Sequence, residues 1–273
     1  MQRIILCAFA VAFLITASFS VMAQFGGGNG SAANPYQIKT KKHLENLADS
    51  VNTSTNDTNN WSKNKYFVLM NNITDSVRTV IGEHPKGFQG NFDGKNFKIT
   101  LAIDKTLSYG SGLFGMIGSS YNESDTITYH IKNIVVDGYV NSSSYGGGIV
   151  GFVNCYSRTC IITNCINIAK INAYTSGGIV GAFCVYSNPN MVSKCINLGN
   201  VNGMYSVGGI VGISGCYKFN ISNCINSAYI KGTNRVGGII GHNYGNHCII
   251  ENSINTGVVE GETGKIRGIS GND

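Results

Sequence analysis

A five-residue signature returns at nearly constant spacing through the second half of the chain, and this constrains the fold more than any other feature. Gly147-Gly148-Ile149-Val150-Gly151 recurs as Gly177-Gly178-Ile179-Val180-Gly181, as Gly208-Gly209-Ile210-Val211-Gly212 and as Gly237-Gly238-Ile239-Ile240-Gly241. A degenerate copy, Arg267-Gly268-Ile269-Ser270-Gly271, closes the series, and Ser111-Gly112-Leu113-Phe114-Gly115 precedes it. The starts at 147, 177, 208, 237 and 267 are 30, 31, 29 and 30 residues apart. A fixed period of this size marks a repeat architecture, in which each unit buries its apolar face only against its neighbours.

A second signature keeps step with the first. Asn164-Cys165-Ile166-Asn167 matches Lys194-Cys195-Ile196-Asn197, Asn223-Cys224-Ile225-Asn226 and Asn252-Ser253-Ile254-Asn255. Between the two lies a short apolar site at Ile171, Val201, Ile230 and Val259. Each repeat therefore offers three short β-type segments separated by Gly or Asn turns. The apolar clusters are too short and too Gly-interrupted for the i, i+3, i+4, i+7 pattern of helices. A propeller blade needs about 40 residues and four strands. The fold class expected is all-β: a right-handed parallel β-helix, or solenoid, with a short helical N-terminal cap. The composition agrees, with 36 Gly, only 3 Pro and 12% charged residues, as many short strands joined by tight turns require.

In such a coil, equivalent residues lie about 4.8 Å apart along the axis. Asn167, Asn197, Asn226 and Asn255 are then expected to form an amide ladder at a sharp corner, where Asn tolerates left-handed backbone. Ile166, Ile196, Ile225 and Ile254 are expected to stack as a core column. The Gly pairs suit a second corner, where positive φ or close backbone approach excludes a Cβ. The column after the core Ile, namely Val150, Val180, Val211 and Ile240, faces outward unless the backbone bends.

The first half differs. Leu44, Leu47, Ala48 and Val51 fall at helical spacing within Thr40 to Asn52. Strands are expected at Lys65–Ile73, Phe97–Ile103 and Asn133–Val140. The organisation expected is a signal peptide over 1–23, an N-terminal cap with helix and loop over 24–64, divergent first coils over 65–140, and repeats over 141–273. Arg3, the apolar run Ile4 to Val21 and the small-residue exit at Val21-Met22-Ala23 carry the first of these. The chain is thus expected to be exported, to the extracellular space or cell surface with the periplasm as alternative, and without a membrane span after residue 23.

The chain resembles bacterial secreted proteins that carry GLUG-motif repeats. The resemblance rests on the two signatures above and on an N-terminal module: Gly30, Asn34-Pro35-Tyr36-Gln37-Ile38, Leu44 to Ala48, Tyr66-Phe67 to Asn72-Ile73, and Phe88 to Gly94. It implies a secreted or surface, adhesin-like repeat protein. Some relatives join such repeats to an IgA-peptidase domain with a His-Glu-x-x-His zinc helix. His43-Leu44-Glu45 is the nearest approach here and does not match it.

Chemistry is sparse. A polysaccharide lyase or hydrolase needs paired carboxylates, or a calcium-binding acid cluster beside a base. The acids of the repeats, such as Asp137, Glu251, Glu260 and Glu262, do not recur at equivalent positions, and Asp93-Gly94 reads as a turn. The expectation is no enzyme, no catalytic residue, no cofactor and no metal. Eight cysteines follow residue 23. Cys165, Cys195 and Cys224 share one column with Ser253, which reads as a ladder of small buried side chains rather than as required thiol chemistry.

The formal net charge is +6, but no basic run alternates with aromatics, so no nucleic-acid partner is expected. The candidate ligand-binding residues are Tyr145, Tyr174, Tyr205, Tyr217 and Tyr244, grouped around the Gly signature. Tyrosine joins apolar area to a polar tip, so a row of them suits a glycan or a host or surface protein as partner. The alternatives are a carbohydrate-cleaving β-helix enzyme, a lyase or hydrolase, and a structural envelope or matrix component without a specific ligand. Self-association through the last, open-edged coil is also expected.

Overall fold

The computed structural model describes residues 24–55, 60–105, 109–119, 127–156, 158–184, 189–262 and 266–271. The expected signal segment, 1–23, lies outside the described residues. The strands form three parallel stacks that share one core, which makes the protein a parallel β-solenoid. One stack is an eight-stranded sheet that runs from Tyr36–Ile38 to His247–Glu251. A second has 14 strands, and a third has five, from Phe114–Gly118 to Ile240–Asn243.

The pairings between repeats bring the two signatures into register. Ile166 pairs with Ile196, Ile225 and Ile254 in turn, and Asn167 with Asn197, Asn226 and Asn255. Ile171, Val201, Ile230 and Val259 align likewise. Each repeat also holds a strand that neither signature marks: Thr159–Thr163, Asn190–Ser193, Lys218–Ser222 and His247–Glu251, all in the first sheet.

The in/out alternation around the Asn signature is the reverse of the expected one. Asn167, Asn197 and Asn226 are fully buried, whereas Ile225 is 38% and Ile254 56% exposed. In a strand, neighbours face opposite sides. Cys165, two residues before Asn167, is buried, so Asn shares its inward face and Ile points out. The buried amides are satisfied along the axis. Asn167 Nδ2 donates to Asn197 Oδ1 at 2.8 Å, Asn197 to Asn226 at 2.8 Å, and Asn226 to Asn255 at 2.7 Å. The left-handed corner lies three residues earlier, at Asn133, Asn164, Lys194, Asn223 and Asn252, with φ of 57°, 53°, 53°, 55° and 49°. There Asn164 Nδ2 donates to Asn133 Oδ1 at 2.7 Å.

At the Gly signature the chain bends, and both aliphatic columns are buried: Ile179, Val180, Ile210 and Val211 have no exposed surface. The N–H groups of Ile179 and Val180 both donate to the Ile210 carbonyl at 3.0 Å. Two consecutive donors aimed at one acceptor break the alternation. The glycines are required by close approach rather than by positive φ. A Cβ on Gly177 would lie 1.9 Å from the Val180 carbonyl oxygen, and one on Gly181 2.5 Å from that of Gly151.

The expected helix spans Lys41–Asn52 and buries Leu44, Leu47, Ala48 and Val51. Thr40 caps it by accepting from the His43 N–H at 3.3 Å. The strand expected at Lys65–Ile73 is two, Tyr66–Leu69 and Ile73–Val77. Parallel pairing starts upstream of both, where Tyr36–Ile38 pairs with Phe67–Leu69.

Candidate binding face

The tyrosines expected in loops fall into two groups, and three of them are on strands. Tyr145, Tyr174 and Tyr205 belong to Val135–Gly147, Lys170–Gly177 and Val201–Gly208 of the second sheet. The register shifts between Ala173 and Thr175 on both sides: Ala173 pairs with Ser142 and Gly203, and Thr175 with Tyr145 and Ser206, so each neighbouring strand bulges by one residue opposite Tyr174. A bulge re-aims the local side chain, and the result is a contact: the rings of Tyr174 and Tyr205 stack 5.6 Å apart at 4°. The Arg235 guanidinium lies over the Tyr205 ring at 5.3 Å, within cation–π range. Tyr174 is 47% exposed, and Met204 beside the pair is 62% exposed.

Tyr145 is one step further along and is half-buried. Its ring stacks on Phe152 at 5.4 Å and meets Tyr109 edge-on at 5.3 Å. Burial first, then Tyr109, pushes its hydroxyl pKa up to about 12, so it stays a neutral donor. Tyr217 and Tyr244 stand apart, after the third-sheet strand. Tyr217 meets His247 edge-on at 5.6 Å. The Tyr244 hydroxyl lies 3.5 Å from Cys184 Sγ, and its ring fills the space a side chain at Gly215 would need.

A row that the tyrosines do not mark runs beside Tyr174. Asn172 Nδ2 donates to Asn141 Oδ1 at 2.8 Å, and Asn202 Nδ2 to Asn172 Oδ1 at 2.9 Å. These amides are only part-buried. Each amide has two N–H groups and two lone pairs, so Asn172, which uses one of each in the ladder, keeps one of each for an external partner. The recurrence of Asn141, Asn172 and Asn202 at steps of 31 and 30 residues was the available signal, as for the buried ladder. At the far end of the same face, Lys231 Nζ meets Glu260 Oε1 at 2.8 Å, and the Tyr229 hydroxyl also bonds Glu260.

The rings of Tyr174 and Tyr205 each cover one face of the other, and Arg235 lies over Tyr205, so this face offers ring surface, hydroxyls, amides and one guanidinium. Among the described residues no group of three His, Cys, Asp or Glu could hold a metal, and no helix is long and apolar enough to cross a membrane. Cys165, Cys195 and Cys224 are buried with free thiols. Their Sγ atoms donate to the carbonyls of Thr163, Ser193 and Ser222 at 3.3, 3.2 and 3.4 Å. Burial and thiol–thiol contact raise the Cys195 pKa, and contact with Cys195 together with burial raises that of Cys224. Raised pKa values suppress the thiolate and its reactivity.

Three comparisons bear on the chain. The family described as the GLUG motif matches residues 232–260. A protein of Evansella cellulosilytica, described as "Putative Gly-rich membrane protein", is 28% identical over 124 residues. The match covers 40% of this chain and only 13% of that protein. A solved structure described as "a putative immunoglobulin A1 protease from Bacteroides ovatus" superposes with a TM-score of 0.61 and 20% identity. It covers 88% of this chain and 80% of the other, and at this identity it shows the fold alone. The chain is a parallel β-solenoid repeat protein that carries the GLUG motif.

Proposed function

We propose that the protein is an exported scaffold that binds a glycan or a surface protein across the outer face of its coils, in the manner of an adhesin. The observation that carries this reading is the Tyr174–Tyr205–Arg235 stack beside the Asn141–Asn172–Asn202 ladder. It repeats donors and acceptors at one coil spacing, on a parallel sheet whose strands pair from coil to coil. Rigid presentation lowers the entropy lost on binding, and tyrosine with arginine is the pairing enriched at recognition surfaces. Cleavage at this face would need two carboxylates set apart for acid–base work. Glu260 and Asp137 are instead each held by a lysine, at 2.8 Å from Lys231 and 3.2 Å from Lys98. Export and surface location belong to the same reading.

The test is binding of the purified protein to an array of glycans and matrix proteins, in parallel with Tyr174→Ser/Tyr205→Ser. A hit that the double variant loses supports the reading. A hit that survives places binding elsewhere on the molecule. An array without hits leaves a structural component of an envelope or matrix.

A further inference from the structure

The outer face of the first sheet holds a cleft of about 400 Å³ in the non-repeating coils, inside the range of roughly 300–1,000 Å³ typical of small-ligand sites. Its shape follows from the register. Tyr66 pairs with Asn91, and Val68 with Asp93, which pairs with Lys132. Phe67, Phe92, Tyr129 and Ile131 are buried, so Tyr66, Asn91, Asp93, His130 and Lys132 all point outward. The short side chains of Asn91 and Asp93 lie between the long ones of Tyr66, His130 and Lys132, and this leaves a notch. Asn91 Oδ1 is fixed by the His130 N–H at 3.1 Å.

The charges do not balance. Asp93 Oδ2 faces two ammonium groups, Lys95 at 3.5 Å and Lys132 at 3.6 Å. Its Oδ1 already accepts from the Asn133 side chain at 2.8 Å and the Lys95 N–H at 2.9 Å. Burial alone would raise the Asp93 pKa. The Asn133 and Lys95 N–H bonds and the two ammonium groups outweigh burial and hold the pKa below its ordinary value. Burial and Lys132 lower the pKa of His130, so its ring is neutral at pH 7. One anion thus stands against two cations, both beyond ideal hydrogen-bond distance with donors to spare. The rest of the lining is apolar: the Tyr66 ring, 38% exposed, with Val68 and Pro35.

From this geometry we infer a second binding site, distinct from the tyrosine face, for a carboxylate-bearing sugar. The sugar ring lies against Tyr66, and its carboxylate completes the pairing of Lys95 and Lys132. An inorganic anion would satisfy the ammonium groups but leave the apolar floor unused. A neutral sugar would use the floor and leave the charge unmatched.

Calorimetric titration with glucuronate, glucose and inorganic phosphate tests the inference. Glucuronate is expected to bind, and glucose about tenfold more weakly. Lys132→Met should weaken glucuronate binding by about fivefold, the scale of an exposed charge pair. Asp93→Asn should strengthen it by a similar factor, because it removes the competing carboxylate. A merely structural Asp93 would give the opposite sign. If Asp93→Asn loosens the turn, Lys132→Met decides, with an unchanged Tm as its control. Tyr66→Ser should reduce glucuronate binding and leave any phosphate binding intact. The inference is overturned by any one of three results: equal binding of glucose and glucuronate, binding indifferent to Tyr66→Ser, or no heat with glucuronate at millimolar concentration. Tyr174→Ser/Tyr205→Ser should retain glucuronate binding, so this site and the tyrosine face can fail separately.

Discussion

Gly178 and Asn197 occupy one space: a Cβ on Gly178 would lie 2.3 Å from Asn197 Cγ and 2.2 Å from the Gly209 carbonyl oxygen. The same relationship ties Gly148 to Asn167, Gly209 to Asn226 and Gly238 to Asn255. The two signatures are therefore halves of one device. The glycine of one face vacates the room in which the buried amide of the other sits. Gly178→Ala is expected to destabilise the protein by about 3 kcal/mol, the upper end for overpacking against unyielding atoms. Gly268→Ala, where a Cβ meets nothing within 4 Å, should be neutral. Urea midpoints of the two variants check this.

Asn197 both donates to Asn226 and accepts from Asn167. Asn197→Ala leaves a buried donor on one side and a buried acceptor on the other, each costing about 1–3 kcal/mol. The loss should exceed that of Asn255→Ala, whose side chain lies at the part-buried end of the ladder. Equal losses in denaturant titrations would mean that the ladder does not act as one network.

The burial pattern orders two further substitutions. Val180→Thr places a hydroxyl where no surface is exposed and should cost about 1–3 kcal/mol. Ile225→Thr, at 38% exposure, should stay within about 0.5 kcal/mol. The expectation from alternation alone is the reverse, so thermal unfolding of this pair discriminates sharply.

The buried thiols make stability fall in alkali. Burial and neighbouring thiols raise the Cys155 and Cys195 pKa values in the folded state, and burial pushes that of Cys248 up to about 11. The unfolded chain then loses protons first as pH rises, so the stabilisation is complete below the unfolded thiol pKa, about 8.5. It declines above that by about 1.4 kcal/mol per pH unit for each such thiol until the folded pKa is reached. Unfolding midpoints between pH 7 and 10.5 should bend downward near pH 9. A flat profile would show that the thiols are not buried.

The solenoid was legible because its period survives in the side chains that stacking makes identical: Gly178 and its equivalents, and Asn197 and its equivalents. What faces inward was harder to read. Ile166 and Asn167 invite an apolar-in, polar-out assignment, yet an axial ladder satisfies Asn167 without water. The period-2 link between Cys165 and Asn167 was the overlooked signal. The strands through Ile162, Val192 and Ile221 carry no shared motif, only alternation, and were missed for that reason. At the candidate sites, the tyrosines were visible but not the bulge that stacks Tyr174 on Tyr205. The Tyr66–Asn91–Lys132 notch depends on register between coils of unequal length, which no repeat in that half of the sequence announces.

The most direct test of the stacked-coil account is hydrogen exchange of the Asn197 side-chain amide, followed by NMR. A ladder amide held between Asn167 and Asn226 should exchange only through opening of the coil stack, with protection close to that of the core backbone amides of Ile179 and Ile210. Exchange orders of magnitude faster than those core amides would contradict the buried ladder and the coupling of the two signatures.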